Sequence, residues 1–355
     1  MYSSRTVVVL FNFYAITQMS VYKLRMKAMT QTALDQLKKW TTIVADSSDL
    51  HAIETFRPLD ATTNPSLITA AAQQPENAAL IDAAFQQARQ EAFQGTALIE
   101  RTIDILTVKF GVEILKLIEG RVSTEVDAAL SYDTQATINK AKKLLALYAT
   151  YGISSDRILI KIAATWEGIQ AAKQLEAEGI HTNLTLLFGL HQAHACANAQ
   201  VTLISPFVGR ILDWYKKAEN VDAYPIELDP GVLSVKKIYQ FYKARGVKTE
   251  VMGASFRSPE QVLGLAGCDL LTVAPNLLEK LSTDTRVVSR QLDADSSGVT
   301  EQLSLLTEQE FQAQLQQDAM ASELLQAGIQ GFIHARTQLS QRLLENYTVN
   351  IEVSA

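Results

Sequence analysis

The sequence predicts a single closed barrel of eight parallel β-strands surrounded by helices, the (β/α)8 or TIM barrel, with additional C-terminal helices. Strand-like apolar runs alternate with helical patterns from about residue 40 onward, which is typical of βα units and a parallel sheet. There are eight such runs, the number that closes this kind of barrel. The length of 355 residues would also allow two domains, so the strand count favours the barrel.

The predicted strands are short apolar or β-branched runs, several of which end in polar residues. Between strands two and three, apolar residues recur at helical spacing over residues 99–117 and stop before Gly120, a natural helix end. Asp133 is predicted to cap a helix whose apolar stripe begins at Ile138. Residues 308–346 are predicted to form long helices. The eight strands are residues 41–46, 59–64, 121–127, 157–164, 182–188, 202–207, 249–255 and 270–275.

The composition is that of a soluble globular protein, with 47% hydrophobic and 20% charged residues. Lys and Arg number 32 against 38 for Asp and Glu, and the chain has no long basic run, which argues against a nucleic-acid partner. Cys196 and Cys268 lie far apart without metal-ligand spacing. Two isolated cysteines of this kind fit a reduced, cytoplasmic protein.

The sequence does not indicate a metal site. His191 and His194 lie three residues apart after the fifth strand, but no third ligand is near them in sequence. Residues 192–200 are predicted to form a solvent-facing helix. We therefore expect no bound metal.

The N-terminal segment differs in character from the rest of the chain. Residues 7–16 form an apolar stretch that is too short to span a bilayer as a helix, and no good small-residue cleavage site follows it. We expect residues 1–28 to be an extension outside the fold and residues 29–355 to form the catalytic barrel. No association with a membrane is expected.

Lys161 stands in the middle of an apolar, β-branched run, RILIKIAATWEG, residues 157–168. An ammonium group in such a strand can reach an edge or take part in a structural ion pair. Alternatively, desolvation lowers the pKa of a lysine, and an unprotonated lysine attacks carbonyl groups to form Schiff bases. The strand alone leaves both interpretations open.

Strand parity predicts that polar side chains from seven strands converge inside the barrel with Lys161. Most lie near the carboxyl ends of the strands, where barrel active sites are built. Asp46 and Glu125 could each be a paired core carboxylate, but two carboxylates, a lysine and several hydroxyls in one cavity are hard to satisfy for stability alone. Arg210 and Arg257 follow strand ends and could bind a phosphate. Besides apolar residues, the positions predicted to face inward are Asp46, Thr62, Asn64, Ser123, Glu125, Asp127, Lys161, Asn183, Thr185, Ser205, Phe207, Gly253 and Ser255.

Nine segments resemble the motifs of the transaldolase family, in order, from about residue 30 to the C-terminus. In that family a lysine on the fourth strand forms a Schiff base with a ketose phosphate, and the resemblance places this role on Lys161. It also implies that Asp46 transfers the proton of the sugar hydroxyl, and that Glu125 and Thr185 hold a catalytic water. The segments are VADSSD, DATTNPSL, GRVSTEVDAALSYDT, RILIKIAATWEG, NLTLLF, LISPFVGRILDWY, DPGV, VMGASFR and LAGCDLLTVAP.

The same resemblance implies a set of substrate-binding residues, an absence of cofactors and a homodimer. Gly189 and Leu190 depart from the family, which commonly has Ser and Phe there, and this departure concerns the rim of the site. Thr62, Asn64 and Ser205 match residues around the dihydroxyacetone unit, Phe207 matches an aromatic residue beside it, and Arg210, Ser255 and Arg257 match the phosphate anchors.

The implied function is the transfer of dihydroxyacetone from sedoheptulose 7-phosphate to glyceraldehyde 3-phosphate, in the non-oxidative pentose phosphate pathway. Two alternatives stand beside it: a lyase of the fructose 6-phosphate aldolase type and a non-catalytic sugar-phosphate-binding barrel. Related aldolases tend to carry a tyrosine where this chain has Phe207, which favours transfer. Lys161, Asp46 and Glu125 argue against a simple binding protein, which has no need of a buried amine.

Overall fold

A computed structural model describes residues 31–293 and 299–352. Its eight strands form one closed parallel barrel in sequential order, so the predicted fold is confirmed. The predicted extension, residues 1–28, lies outside the described residues. The strands are β1 Thr42–Asp46, β2 Asp60–Thr62, β3 Val122–Glu125, β4 Ile158–Ala163, β5 Thr182–Leu187, β6 Leu203–Pro206, β7 Glu250–Gly253 and β8 Leu270–Val273.

Helices follow the strands and form the outer layer. Asp133 accepts a hydrogen bond from the backbone N–H of Ala136, as predicted for an N-cap. The helices are α1 Ala33–Leu37, α2 Leu50–Phe56, α3 Pro65–Ala71, α4 Ala78–Gln90, α5 Gly95–Leu115, α6 Thr134–Thr150, α7 Trp166–Ala177, α8 Leu190–Asn198, α9 Val208–Glu219, α10 Pro230–Ala244, α11 Pro259–Leu263, α12 Pro275–Thr283, α13 Glu308–Gln317 and α14 Ala319–Glu352. None of the helices among these described residues combines the length and the apolar character needed to cross a membrane.

Two local expectations need correction. Helix α5 ends at Leu115, before Gly120, and Gly120 is required for another reason: a Cβ there would lie 1.9 Å from a carboxylate oxygen of Asp60. Helix α8 was expected to face solvent, yet most of its residues are buried, including His191 and Cys196. It packs under α13, where Phe311 contacts the His191 ring.

The barrel interior is built in layers. Val44, Leu159, Leu203, Met252 and Leu270 pack together in the middle and form what we call the interior layer. Since each strand alternates, the residues two positions further along also point inward, which places Lys161 above Leu159 as predicted.

Strand β7 departs from the predicted parity. Met252 belongs to the interior layer, so Gly253 faces outward, where a Cβ would meet Leu271 and Leu265. The prediction that Gly253 points inward was wrong. Ser255 still reaches the mouth of the barrel because the backbone turns there, with φ +60° at Ser255.

A charged group closes the interior at the amino ends of the strands. Arg121 donates to Asp60 through its backbone N–H at 2.8 Å and through Nε and Nη2 at 3.2 and 3.1 Å. Its Nη2 also lies 2.9 Å from Glu250 Oε2. We call Asp60, Arg121 and Glu250 the amino-end cluster; it joins β2 to β7 across the barrel.

The opposite mouth of the barrel is covered by α14. Buried apolar residues of the strand ends and of α14 pack together, and we call them the mouth cluster. Strand β5 contributes Leu186 to the mouth cluster because the strand is irregular there. Its pairing with β6 shifts between Leu184 and Leu187, and Leu186 has a left-handed φ of +53°. The mouth cluster comprises Ala128, Ala163, Leu186, Phe188, Phe207, Ile211, Ala254, Met320, Ala321, Leu325, Ile329 and Phe332.

Candidate active site

Lys161 lies inside the barrel beside Glu125. The two residues are direct neighbours across the β3–β4 pairing, and Lys161 Nζ lies 3.1 Å from Glu125 Oε2. Nζ also donates to the carbonyl of Thr63 at 3.1 Å. Only 5% of Lys161 is exposed. The amine is therefore buried but held at the end of an open cavity, where a carbonyl carbon can approach it.

Burial raises the pKa of both carboxyl groups near Lys161. Burial raises the pKa of Asp46, against the lowering effects of Lys161, the Thr62 hydroxyl and Arg210. Burial also raises the pKa of Glu125, although Lys161 and Arg210 lower it. A raised pKa makes a carboxylate a stronger base than an ordinary one, which suits groups that accept and return protons in acid–base catalysis.

A cavity of about 190 Å³ opens at the carboxyl ends of the strands. The structure brings all of the predicted site residues except Glu125 to its wall; Glu125 lies beside Lys161 and also lines a small cavity of about 30 Å³ under α14. The predicted residues on the wall are Asp46, Thr62, Asn64, Lys161, Thr185, Ser205, Phe207, Arg210, Ser255 and Arg257.

Hydrogen bonds orient the hydroxyl groups on the cavity wall. Thr62 Oγ1 lies 3.3 Å from Asp46 Oδ1 and 2.9 Å from Thr272 Oγ1. Ser205 Oγ donates to Asn183 Oδ1 at 2.5 Å. Thr272 also lines the cavity and was not predicted from the sequence. Its alternation with apolar neighbours in LLTV is the signal that indicates its inward position.

Asn64 both caps a helix and lines the catalytic cavity. Its Oδ1 accepts from the backbone N–H of Leu67 at 3.0 Å and so caps α3. The side-chain amide nitrogen keeps its donors for the cavity.

Two arginines form the positive end of the cavity. Arg257 donates through Nε and Nη2 to Asp213 Oδ2 at 2.9 and 2.7 Å, and Nη1 lies 3.4 Å from Ser255 Oγ. The Arg210 guanidinium lies 5.0 Å from the centre of the Phe207 ring. Burial and the charge of Arg257 lower the pKa of Arg210. A site with two close guanidinium groups attracts a dianionic phosphate.

Two buried polar atoms in the described part of the chain face the reaction centre without a hydrogen-bond partner: Glu125 Oε2 and Thr185 Oγ1. Glu125 Oε2 keeps its ion pair with Lys161. Because buried polar groups are normally hydrogen-bonded, such atoms suit a water or a substrate hydroxyl. Two further residues were predicted to point inward. Ser123 Oγ lies inside and accepts from Asn183 Nδ2 at 2.9 Å, whereas Asp127 leaves the barrel and pairs with Arg336 of α14 at 2.8 Å.

Comparison with known families matches residues 43–343 to the family described as transaldolase/fructose-6-phosphate aldolase. The chain belongs to this family. A transaldolase of Prochlorococcus marinus is 55% identical over 87% of the chain and 93% of its own length. Transaldolases of Nostoc punctiforme and Methylococcus capsulatus are 53% and 52% identical, over 91% and 92% of the chain and 98% and 100% of their own lengths. These relatives favour a transferase over a lyase.

The departure at Gly189 has a local cause. A Cβ on Gly189 would lie 2.2 Å from Cε1 of His191, so the imidazole occupies the space that a larger residue would need. Gly189 and Leu190 line a groove beside α9 and α14 rather than the wall of the catalytic cavity. Among the described residues no group of three or more His, Cys, Asp or Glu side chains is arranged to hold a metal.

Proposed function

We propose that this enzyme transfers a dihydroxyacetone unit from sedoheptulose 7-phosphate to glyceraldehyde 3-phosphate through a Schiff base on Lys161, in the non-oxidative pentose phosphate pathway. The observation that carries the proposal is the buried amine of Lys161, 3.1 Å from Glu125, in a cavity that also holds Asp46 and two arginines. No cofactor takes part in the proposed steps.

Imine formation needs a neutral amine and a way to remove water. Glu125 takes a proton from Lys161, and the free amine adds to the ketone carbon of the substrate. Protonation of the resulting hydroxyl through a water held by Glu125 and Thr185 releases it as water and leaves the iminium. The Thr185 hydroxyl, which has no hydrogen-bond partner, and Glu125 Oε2, which meets only Lys161, support this assignment.

Cleavage of the C3–C4 bond requires a base and an electron acceptor. Asp46 takes the proton of the C4 hydroxyl, the bond electrons move into the iminium, and erythrose 4-phosphate leaves. The enamine left on Lys161 then adds to the aldehyde carbon of glyceraldehyde 3-phosphate, and Asp46 returns its proton to the new hydroxyl. Hydrolysis of the imine releases fructose 6-phosphate and restores the lysine.

The remaining residues hold the substrate and protect the enamine. Arg210, Arg257 and Ser255 bind the phosphate, and Thr62, Asn64 and Ser205 bind the hydroxyls of the dihydroxyacetone unit. The mouth cluster keeps bulk water from the enamine carbon. The phenyl ring of Phe207 cannot deliver a proton to that carbon as a tyrosine could, which favours transfer over release of free dihydroxyacetone.

We further propose that the enzyme is a cytoplasmic homodimer, by its resemblance to the family. Light scattering coupled to gel filtration measures the mass of the particle. A monomer of 39.1 kDa at working concentration would contradict the dimer.

Borohydride trapping tests the function. With fructose 6-phosphate and no acceptor, reduction should fix a three-carbon unit to Lys161 and inactivate the enzyme, because cleavage precedes trapping. Mass spectrometry of the peptide that contains RILIKIAATWEG reads the adduct. Lys161→Arg should lose trapping and lower kcat by at least about 10⁴-fold, since a guanidinium stays protonated and cannot attack a carbonyl. Trapping at another lysine, or turnover without Lys161, would show that the buried amine is structural.

A further inference from the structure

Gln192, on α8, ties together the ends of β4 and β5. Its Oε1 accepts from the backbone N–H groups of Phe188 and Gly189 at 2.8 and 3.0 Å. Its Nε2 donates to the carbonyls of Ala164 and Leu186 at 2.9 and 3.0 Å. A glutamine amide has two donor hydrogens and one oxygen acceptor with two lone pairs, and here each is used. The side chain is 0% exposed, so these bonds face no competition from water.

The segment that Gln192 holds has an unfavourable backbone conformation. Leu186 has φ +53°, which places its Cβ close to the backbone and is rare for a branched residue. Such a conformation persists only where the surroundings fix it. The bond from Gln192 to the Leu186 carbonyl, and the bonds from the two N–H groups that follow, fix it here.

The irregularity decides which side chains of β5 face the reaction. Thr185, immediately before it, lines the catalytic cavity with Oγ1 unpartnered. Leu186 turns into the mouth cluster against Gly328 of α14, where a Cβ would lie 2.6 Å from Leu186 Cδ2. Leu184 and Leu187 both pack in the hydrophobic core between the strands and the surrounding helices. They are three positions apart, so regular alternation would place them on opposite faces of the strand.

We propose that Gln192 is a positioning residue for the reaction: through the left-handed Leu186 it sets the Thr185 hydroxyl, and thereby the water that enters and leaves during imine formation and hydrolysis. The inference rests on the proposed function, because the role of Thr185 belongs to that proposal. Gln192 itself touches no substrate. Its effect should therefore pass through Thr185 and disappear when Thr185 has lost its hydroxyl.

A double-mutant cycle tests this. Gln192→Met has a similar side-chain length without the hydrogen bonds, and we expect it to lower kcat by about 10- to 100-fold with KM changed less than about 3-fold, since misplaced catalytic groups slow chemistry more than binding. In a Thr185→Val background the same change should lower kcat by less than about 3-fold. An equal fall in kcat in both backgrounds would overturn the proposal.

Gln36 on α1 provides the matched control. Its Nε2 donates to the carbonyls of Gln31, Thr32 and Arg286, and its Oε1 accepts from the N–H of Val288, but it lies ahead of β1 at the other end of the barrel. Gln36→Met should lower the melting temperature and leave kcat unchanged. A fall in kcat comparable with that of Gln192→Met would mean that loss of any buried glutamine impairs the enzyme, against the proposal.

If Gln192→Met does not fold, Gln192→Glu replaces it in the double-mutant cycle. A carboxylate still accepts from the two N–H groups but cannot donate to the two carbonyls. The proposal again predicts a much smaller fall in kcat in the Thr185→Val background. Failure of both variants to fold would make Gln192 a requirement of the fold and overturn the assignment. Turnover and trapping by the unchanged enzyme are measured alongside. Their absence rejects the proposed function, whereas an additive cycle in an active enzyme rejects only the role of Gln192.

Discussion

The barrel encloses charged side chains at both ends, and the two groups are built differently. In the amino-end cluster, Asp60 accepts three hydrogen bonds from Arg121, which leaves it few lone pairs for anything else. One oxygen of Glu250 and one of Glu125 each meet only a cation, Arg121 and Lys161, so these two carboxylates are alike. At the carboxyl ends, however, the Thr185 hydroxyl has no hydrogen-bond partner, and burial raises the pKa of both Asp46 and Glu125. The amino-end cluster has the pattern of a structural ion pair. The polar groups around Lys161 at the carboxyl ends have the pattern of a site that binds and transforms a substrate.

Among the variants that test this difference between the two ends, Asp46→Asn should have the largest effect, a loss of kcat. An amide cannot take the C4 proton, so kcat should fall by about 10²- to 10⁴-fold. Lys161 remains able to form the imine, and borohydride should then trap the intact six-carbon sugar of fructose 6-phosphate instead of the three-carbon unit. The mass of the labelled peptide measures this. A three-carbon adduct at the normal rate would assign the base to another residue.

Arg121→Met should affect stability rather than catalysis. It leaves Asp60 and Glu250 facing each other without their cation, and we expect the free energy of unfolding to fall by roughly 2 to 4 kcal/mol, reduced from the buried-pair range because Arg121 is partly exposed. Urea unfolding measures the loss, and kcat of the folded enzyme should stay within about twofold of its original value. Asp60→Asn in the same background should recover part of the stability. A large fall in kcat of Arg121→Met would show that the amino-end cluster also contributes to catalysis, contrary to its assignment as a structural ion pair.

Arg257→Ala should weaken the binding of phosphorylated sugars. The guanidinium is half-exposed and shared with Asp213, so we expect KM to rise about tenfold, with a smaller change in kcat because the phosphate is held alike in ground and transition states. Steady-state kinetics separate the two constants. An unchanged KM would remove Arg257 from the phosphate site and leave it as a surface ion pair.

The smallest effect concerns pH. Asp46 must be ionised to act as a base, and because burial raises its pKa, activity should be lost on acidification at a higher pH than an ordinary aspartate would give. The Thr62 hydroxyl stabilises the carboxylate and lowers this pKa. Thr62→Val should therefore move the acid limb of kcat against pH to still higher pH. A shift to lower pH would show that Thr62 does not contact the ionised form.

The sequence was sufficient for the barrel and for most of the site because both depend on local alternation. Lys161 and Asp46 could be placed inside from their apolar neighbours alone. The prediction for strand β7 was wrong because the backbone turns at Ser255, with φ +60°, and regular alternation does not extend through that turn. The covering of the mouth by Phe332 depends on contacts between residues far apart in sequence, which no local pattern contains.

Gln192 and Arg121 show a second reason why the sequence alone does not predict the whole structure. A glutamine in a helix and an arginine ahead of a strand are ordinary surface patterns, and only the closed barrel reveals that one joins two strand ends and the other crosses the interior. The predicted roles of the individual site residues remain predictions to be tested by the variants above.

The position of α14 over the mouth has a consequence for biosynthesis. Asp46 is translated long before the covering residue Phe332, which belongs to the final described helix of 34 residues. At about 5 to 20 residues per second, a ribosome needs a few seconds to complete that helix after α13. During this interval the mouth cluster does not yet cover Lys161. Under the proposed mechanism, a stalled chain that ends before α14 should therefore lose any enamine to water. Each new molecule thus becomes a competent transferase only when α14 folds over the mouth of the barrel.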